Sequence, residues 1–378
     1  MAKQGFKIMD CDIHCIEPRD LWVRNMESEF VKDAPRPPEI GKAGRMQVLD
    51  KPIPAHVEET ERQEDLDLRY KLAAERYKKL GRIQVEREGE SPVRMLEAMN
   101  TEGIDAAVVF RTTTAHVTGL DDMDPRLADA ICRTFNNWLR EFCNTDKQRL
   151  IPTAQLALHD VDLAVKEAGR AVREHGAAAL VLPSNPVKGR PFYDRYYDPL
   201  WAVAQDLNVP VAFHGIQLAY QEHLGNRYRD NFALVHSVAH PVELQLALGA
   251  MLMGGVFERF PQLRAAFLEG HCSWVPSWLY VLDERWEKFG NKARFGLKLL
   301  PSEYFKRQCY VSVDPDEELV VPTVEAIGND NIVISSDWPH SDSAYPQAIN
   351  MFLGIKGLSD ESRRKILWDN CAHLYSLN

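Results

Sequence analysis

Asp10, Asp12 and His14 recur at every second position within FKIMDCDIHC, residues 6–15. In an extended strand alternate side chains share a face, so two carboxylates and an imidazole would point the same way. Without a counter-charge such a group repels itself and packs poorly, and a divalent cation removes both costs. A polar strand end facing water is the other reading of this stretch taken alone. Three more short runs carry the same kinds of donor: FHG with His214, LEGH with Glu269 and His271, and SSDWPH with Asp337. Imidazole nitrogen mixed with carboxylate oxygen is what a borderline cation such as zinc accepts.

Each of these runs closes an apolar stretch of strand length. Eight such stretches are expected, near residues 8, 107, 153, 180, 212, 266, 311 and 334. Helical patterns separate most of them. One spans 93–103 and stops at Gly103; another follows Asp160, which has the chemistry of an N-cap. Others cover 125–144, 199–206, 241–257, 274–289 and 317–327, and two more, 345–353 and 360–375, close the chain. Unbroken apolar strands suit a parallel sheet covered on both faces. Eight strand-helix units predict an α/β fold of the (β/α)8 TIM-barrel type. An open doubly wound sheet would need a glycine-rich turn after the first strand, and DIHCIEP has no glycine. In such a barrel, reactive residues sit at the carboxy ends of strands, where Asp12, His14, His214, Glu269, His271 and Asp337 fall.

Residues 27–92 break the pattern with dense charge and proline, including PRPPEIG. They are too many for an ordinary loop. They read as a charged insertion after strand one, serving as lid or interface within a single domain, with disorder as the competing reading of part of it. The chain has 378 residues, 55 acidic against 45 basic, for a net charge of −10. That balance does not suggest a nucleic-acid or anionic-membrane partner, and a small-molecule substrate is expected. No apolar run is long enough to span a bilayer, and MAKQGFKIMD lacks a signal peptide's apolar core. Seven scattered cysteines without a C-x-x-C pair suggest reduced thiols and a cytoplasmic location.

The motifs D-x-H, F-H-G, FPxLxxxFLEG and SSDWPH together resemble the amidohydrolase superfamily. The resemblance is closer to its amidohydrolase-related branch, which includes aminocarboxymuconate-semialdehyde decarboxylase and resorcylate-type decarboxylases. It implies a distorted barrel with a metal at its mouth. Asp12 and His14 would be the strand-one ligands, His214 the strand-five ligand and Asp337 the strand-eight aspartate. Most amidohydrolases carry H-x-H at the first position and some decarboxylases E-x-H, so Asp12 departs in the second sense. At strand six the family's catalytic histidine maps to His271 by the Gly-His pair, or to Glu269 by counting from Pro261. Lying two apart, both are expected to face the metal. A carboxylate there also allows a second metal, held by Glu269, His271 and Glu17. The family's strand-four lysine has no counterpart, since that strand ends Leu182-Pro183-Ser184-Asn185.

The implied activity is metal-dependent hydrolysis or non-oxidative decarboxylation of a small carboxylated substrate. Zinc is the first choice of metal, with iron or manganese if the site is dinuclear. Asp337 would be ligand and proton acceptor, and His271 or Glu269 would move a proton. Two other readings stay open: a dinuclear iron or manganese oxygenase, and a non-catalytic barrel subunit of a complex. Arg111 is either a substrate-carboxylate clamp or half of an ion pair. His340 stands behind a ligand or in a plain loop, and His116 lines the pocket or faces solvent. His236 and His240, four apart, suggest helix packing or an interface. The insertion and the apolar GAMLMGG run point to a homo-oligomer or an assembly with a related subunit.

Overall fold

The computed structural model describes residues 3–36, 89–215 and 231–377, with a few short pieces between residues 47 and 79. Most of the expected 27–92 insertion therefore lies outside the described residues. β1 (Met9–His14) pairs in parallel with β2 (Ala106–Phe110), and β2 with β3 (Leu150–Pro152). A second parallel sheet runs β4 (Ala154–Gln155), β5 (Leu180–Pro183), β6 (Val211–His214), β7 (Ala265–Leu268), β8 (Cys309–Val313) and β9 (Ile332–Ile334). A separate antiparallel pair joins Gln47–Val48 to Lys51–Pro52.

All eight expected strands are found, but their ladders form sheets of three and six strands instead of one closed sheet. Both seams have a side-chain cause. β3 and β4 are one run of chain interrupted at Thr153, whose hydroxyl donates to the Val109 carbonyl at 2.8 Å. Between β1 and β9 the Asp10 carboxylate takes backbone donors that a ladder would use. Its Oδ1 accepts from the amides of Asp12 (3.2 Å) and Ser336 (3.1 Å), and its Oδ2 accepts from the Ser336 hydroxyl. The amide of His14 donates to the Trp338 carbonyl at 2.7 Å, which ties the same seam.

The strands are buried on both faces, as their unbroken apolar runs require. Along β2, Ala107 and Val109 face the helices, while Ala106, Val108 and Phe110 face an inner layer. That inner layer also takes Val181, Ala212, Leu268 and Tyr310, and Leu374 and Tyr375 from the chain's end. β1 departs from this alternation. Met9 and Cys11 pack in the inner layer, but Ile13 packs in the outer one with Ile8 and Cys15. The register slips between Asp10 and Ile13. A one-residue shift moves every later side chain to the other face. Asp10 is thereby parted from Asp12 and His14, against the expectation of three donors on one face.

Helix ends mostly follow local chemistry. Pro92–Glu102 stops at Gly103 with φ of 80°, and Asp160 caps Val161–His175 by accepting from the amides of Asp162 and Leu163. The helix expected at 241–257 differs. It begins at Phe232, capped by the Asn231 side chain, and runs through Pro241 to Met253. Proline suits a first turn, which explains the expectation. The buried side chains of Val235 and Ala239 hold the turns before it in place. The closing run 360–375 contains a π-helical turn, Lys365–Asp369. Among the described residues no helix is long and apolar enough to cross a membrane.

Candidate metal centre

The carboxy ends of β1, β6 and β7 and the loop after β9 converge. His14 Nε2 lies 3.3 Å from Asp12 Oδ1, 3.4 Å from Asp337 Oδ1 and 3.2 Å from His214 Nε2. His214 Nε2 in turn lies 3.2 Å from Asp12 Oδ2 and 3.1 Å from Glu269 Oε2. Ligands bonded at about 2.0–2.2 Å to one cation stand about 3.0–3.5 Å apart, so this spacing is that of a coordination shell. Asp12 decides the fit. Its side chain is 0% exposed and neither carboxylate oxygen has a hydrogen-bond partner. An ionised carboxylate left so would cost several kcal/mol, on the order of magnitude known for buried charge, and a divalent cation removes that cost.

The imidazoles are prepared for coordination. His14 Nδ1 donates to the Arg111 carbonyl at 2.7 Å, which leaves the Nε2 lone pair facing the cluster. Burial, with His340 close by, lowers the His14 pKa to about 3, so the ring is neutral at pH 7. Burial lowers His214 as well. Its Nδ1 has the Gly215 carbonyl at 3.0 Å and Arg111 Nη1 at 2.8 Å. Coordination through Nε2 needs the tautomer whose Nδ1–H meets Gly215, and in that tautomer Arg111 Nη1 does not donate to the same nitrogen. Burial opposes ionisation of Asp12, and it is positive charge on the His214 and His14 side, borne by protonated rings or by a cation between them, that holds it well below the usual carboxylate range. Burial raises Glu269 well above that range, helped by Asp337, and raises Asp337 in the same way, helped by Asp342. The cluster thus contains more carboxylates than it can ionise without a cation.

Glu269, His271 and Asp337 all have left-handed backbone, with φ of 61°, 61° and 54°. For non-glycine residues this stores about 1 kcal/mol or more each, and such strain gathers at functional sites. It also separates Glu269 from His271. Glu269 joins the cluster. His271 is not brought to it: its side chain is 53% exposed and its Nδ1 pairs with Asp314 Oδ2 at 3.1 Å. Glu17 is also elsewhere, accepting from the amides of Thr113 and Thr114 and the Thr114 hydroxyl at the head of helix Thr113–Thr118. The second-metal trio expected from Glu269, His271 and Glu17 is therefore not assembled.

Arg111 is buried, with Nη1 on His214 Nδ1 and Nη2 3.5 Å from the His214 carbonyl. It backs His214 instead of lining the mouth as a clamp. His340 bridges Asp337 Oδ1 (2.7 Å) and the Thr112 hydroxyl (3.1 Å) and stacks on His14 at 4.1 Å. The side chain of His116 lies outside the described residues. Sequence reasoning undervalued His240. It stacks on His236 at 4.7 Å, but its Nδ1 also lies 3.3 Å from Glu269 Oε1. The four-residue spacing was visible; that the helix would lie over β7 was not. A cavity of about 350 Å³ opens beside the cluster, lined by His240, Glu269, His271, Asp314, Asp337 and Asp342 among others.

A parallel α/β scaffold with buried histidine and carboxylate donors at its strand ends defines a metal-dependent hydrolase or carboxy-lyase. The amidohydrolase family matches residues 9–377, and the chain belongs to it. Gamma-resorcylate decarboxylase of Polaromonas sp. is 25% identical over 295 residues, covering 75% of this chain and 87% of that protein. The 2-amino-3-carboxymuconate-6-semialdehyde decarboxylase of Dictyostelium discoideum is 22% identical over 254 residues, covering 67% and 68%. An amidohydrolase of Mycobacterium avium subsp. paratuberculosis has the same fold, with a TM-score of 0.76 at 22% identity over 98% of this chain and 99% of that one. So does 5-carboxyvanillate decarboxylase of Novosphingobium aromaticivorans, solved with bound manganese, with a TM-score of 0.71 at 17% identity over 99% and 98%.

Proposed function

We propose that this protein is a metal-dependent carboxy-lyase that removes a carboxylate, without oxidant, from a small hydroxylated aromatic or similarly conjugated acid. Asp12, His14, His214 and Asp337 are its metal ligands, and zinc or manganese is its metal. The observation that carries the reading is the buried Asp12 carboxylate, unpartnered and 3.2–3.3 Å from two imidazole nitrogens. The decarboxylase names of the curated relatives support the choice of reaction. When bound, the cation supplies counter-charge and Lewis acidity for substrate oxygens. The carbon–carboxylate bond breaks, its electron pair stays on the substrate carbon, carbon dioxide leaves and a proton takes the vacated place. His340, whose Nδ1 lies 2.7 Å from Asp337 Oδ1, holds and supplies that proton, and Asp337 keeps the ring oriented. In the same reading the two sheets are one (β/α)8 barrel, closed at Thr153 and by Asp10 with Ser336. The chain is a single domain, with residues 27–92 as its lid or interface segment.

The test is incubation of the manganese-loaded and zinc-loaded protein with a panel of ortho-hydroxybenzoates in deuterium oxide. Carbon dioxide release with one deuterium at the vacated carbon is expected, and a chelator should abolish it. Amide or ester hydrolysis without carbon dioxide release would sink the reading. One observation favours a second function, a dinuclear iron or manganese oxygenase: Glu269 faces His214 with one oxygen and His240 with the other. Dioxygen consumption by the iron-loaded protein would separate the two.

A further inference from the structure

We infer that Glu269 and His240 form a second cation site beside the first, with the Glu269 carboxylate bridging the two. The inference rests on the Asp12, His14 and His214 cluster, and not on the choice between carboxy-lyase and oxygenase. Glu269 Oε2 lies 3.1 Å from His214 Nε2, and its Oε1 lies 3.3 Å from His240 Nδ1. A carboxylate whose oxygens face separate nitrogen donors has the form of a bridge between cations about 3.5–4 Å apart.

His240 supplies the independent sign of a ligand. Its side chain is 5% exposed, yet neither ring nitrogen makes a hydrogen bond. Buried polar atoms are nearly always satisfied, so a ring with two unsatisfied nitrogens calls for an explanation. The approach of Nδ1 to Glu269 does not have hydrogen-bond geometry. Neither a proton on Nδ1 nor one on Glu269 makes a well-formed hydrogen bond at this approach, whereas a cation between them would be bonded by both groups.

The backbone makes room for this ring. A Cβ on Gly215 would stand 2.2 Å from His240 Nδ1, and one on Gly270 would stand 2.4 Å from Leu244 Cδ1 on the same helix. The missing side chains let that helix press against the ends of β6 and β7. From the other side His236 stacks on the ring and is itself held by Asp342 at 3.3 Å. One imidazole and one carboxylate suit manganese, iron or zinc, and the adjoining cavity has room for water to complete the shell.

The test is metal counting on protein saturated with Mn²⁺ and freed of excess by gel filtration, with electron paramagnetic resonance on the same samples. Two manganese ions per chain with a spin-coupled signal are expected from the unaltered protein. His240→Gln and Glu269→Gln should each retain one ion with an uncoupled six-line signal. One uncoupled ion in the unaltered chain would overturn the inference, even if both variants failed to fold. Unchanged counts and signals in folded variants would overturn it too. Metal counts do not depend on turnover, so failure here leaves the carboxy-lyase reading to its own assay.

Discussion

β1 and β7 end alike in sequence and differently in space. Asp12-x-His14 closes the first and Glu269-x-His271 follows the second. Asp12 and His14 lie within extended backbone, keep the strand's alternation and meet at 3.3 Å. Glu269 and His271 stand beyond the end of β7 with left-handed φ, where alternate residues no longer share a face. Glu269 turns inward to two imidazoles, and His271 turns outward to Asp314. The lesson is that a two-residue spacing predicts shared ligation only as far as the strand itself continues.

The sharpest way to break this comparison is Asp12→Asn. It keeps the shape and removes the charge shared by both histidines, so metal affinity should fall by at least about 100-fold, beyond the loss typical of groups that only orient ligands. Equilibrium dialysis against manganese measures it, and an unchanged affinity would refute the assignment. Next comes the pair Glu269→Gln and His271→Gln. The first should lower metal affinity and activity by about 10-fold or more. The second should change either by less than about 3-fold, as for surface substitutions away from a site. Equal effects would mean that both residues face the metal after all.

A third variant separates the two carboxylates of β1. Asp10→Asn should leave metal affinity near that of the unaltered protein. It should cost about 1–3 kcal/mol in denaturant unfolding, because the buried oxygen that accepts from the Ser336 hydroxyl becomes an NH2 donor, while the other oxygen keeps its links to the Asp12 and Ser336 amides. The smallest effect belongs to His271. Its hydrogen bond with Asp314 raises its pKa from 6.5 to about 9, against the opposing effect of burial. The folded value lies above the unfolded one, so this stabilisation is complete below pH 6.5 and is lost as pH rises through 9. His271→Ala should therefore be less stable than the parent at pH 6, and the gap should close by about pH 10. Solvent screening of a half-exposed pair keeps the gap within about 1 kcal/mol.

Local signals were legible wherever neighbours in sequence decided the outcome. Gly103 ending one helix and Asp160 starting another are contacts within a few residues, so their chemistry could be read directly. The parallel α/β alternation was readable because strands buried on both faces must be apolar throughout. The slip in β1 was not readable, since it depends on what Asp10 finds on β9. Nor was the start of the helix Phe232–Met253, because Pro241 is a sound first-turn residue and only packing carries the helix past it.

From the sequence alone came the residue types, their places at strand ends and the family motifs that join them, because strand periodicity and donor chemistry are local properties. Only the tertiary structure decided which donors meet. It parted Asp10 from Asp12, turned His271 away from Glu269 and laid His240 against it. Those outcomes follow from backbone φ, ladder register and helix placement, which are set by contacts between residues far apart in the chain.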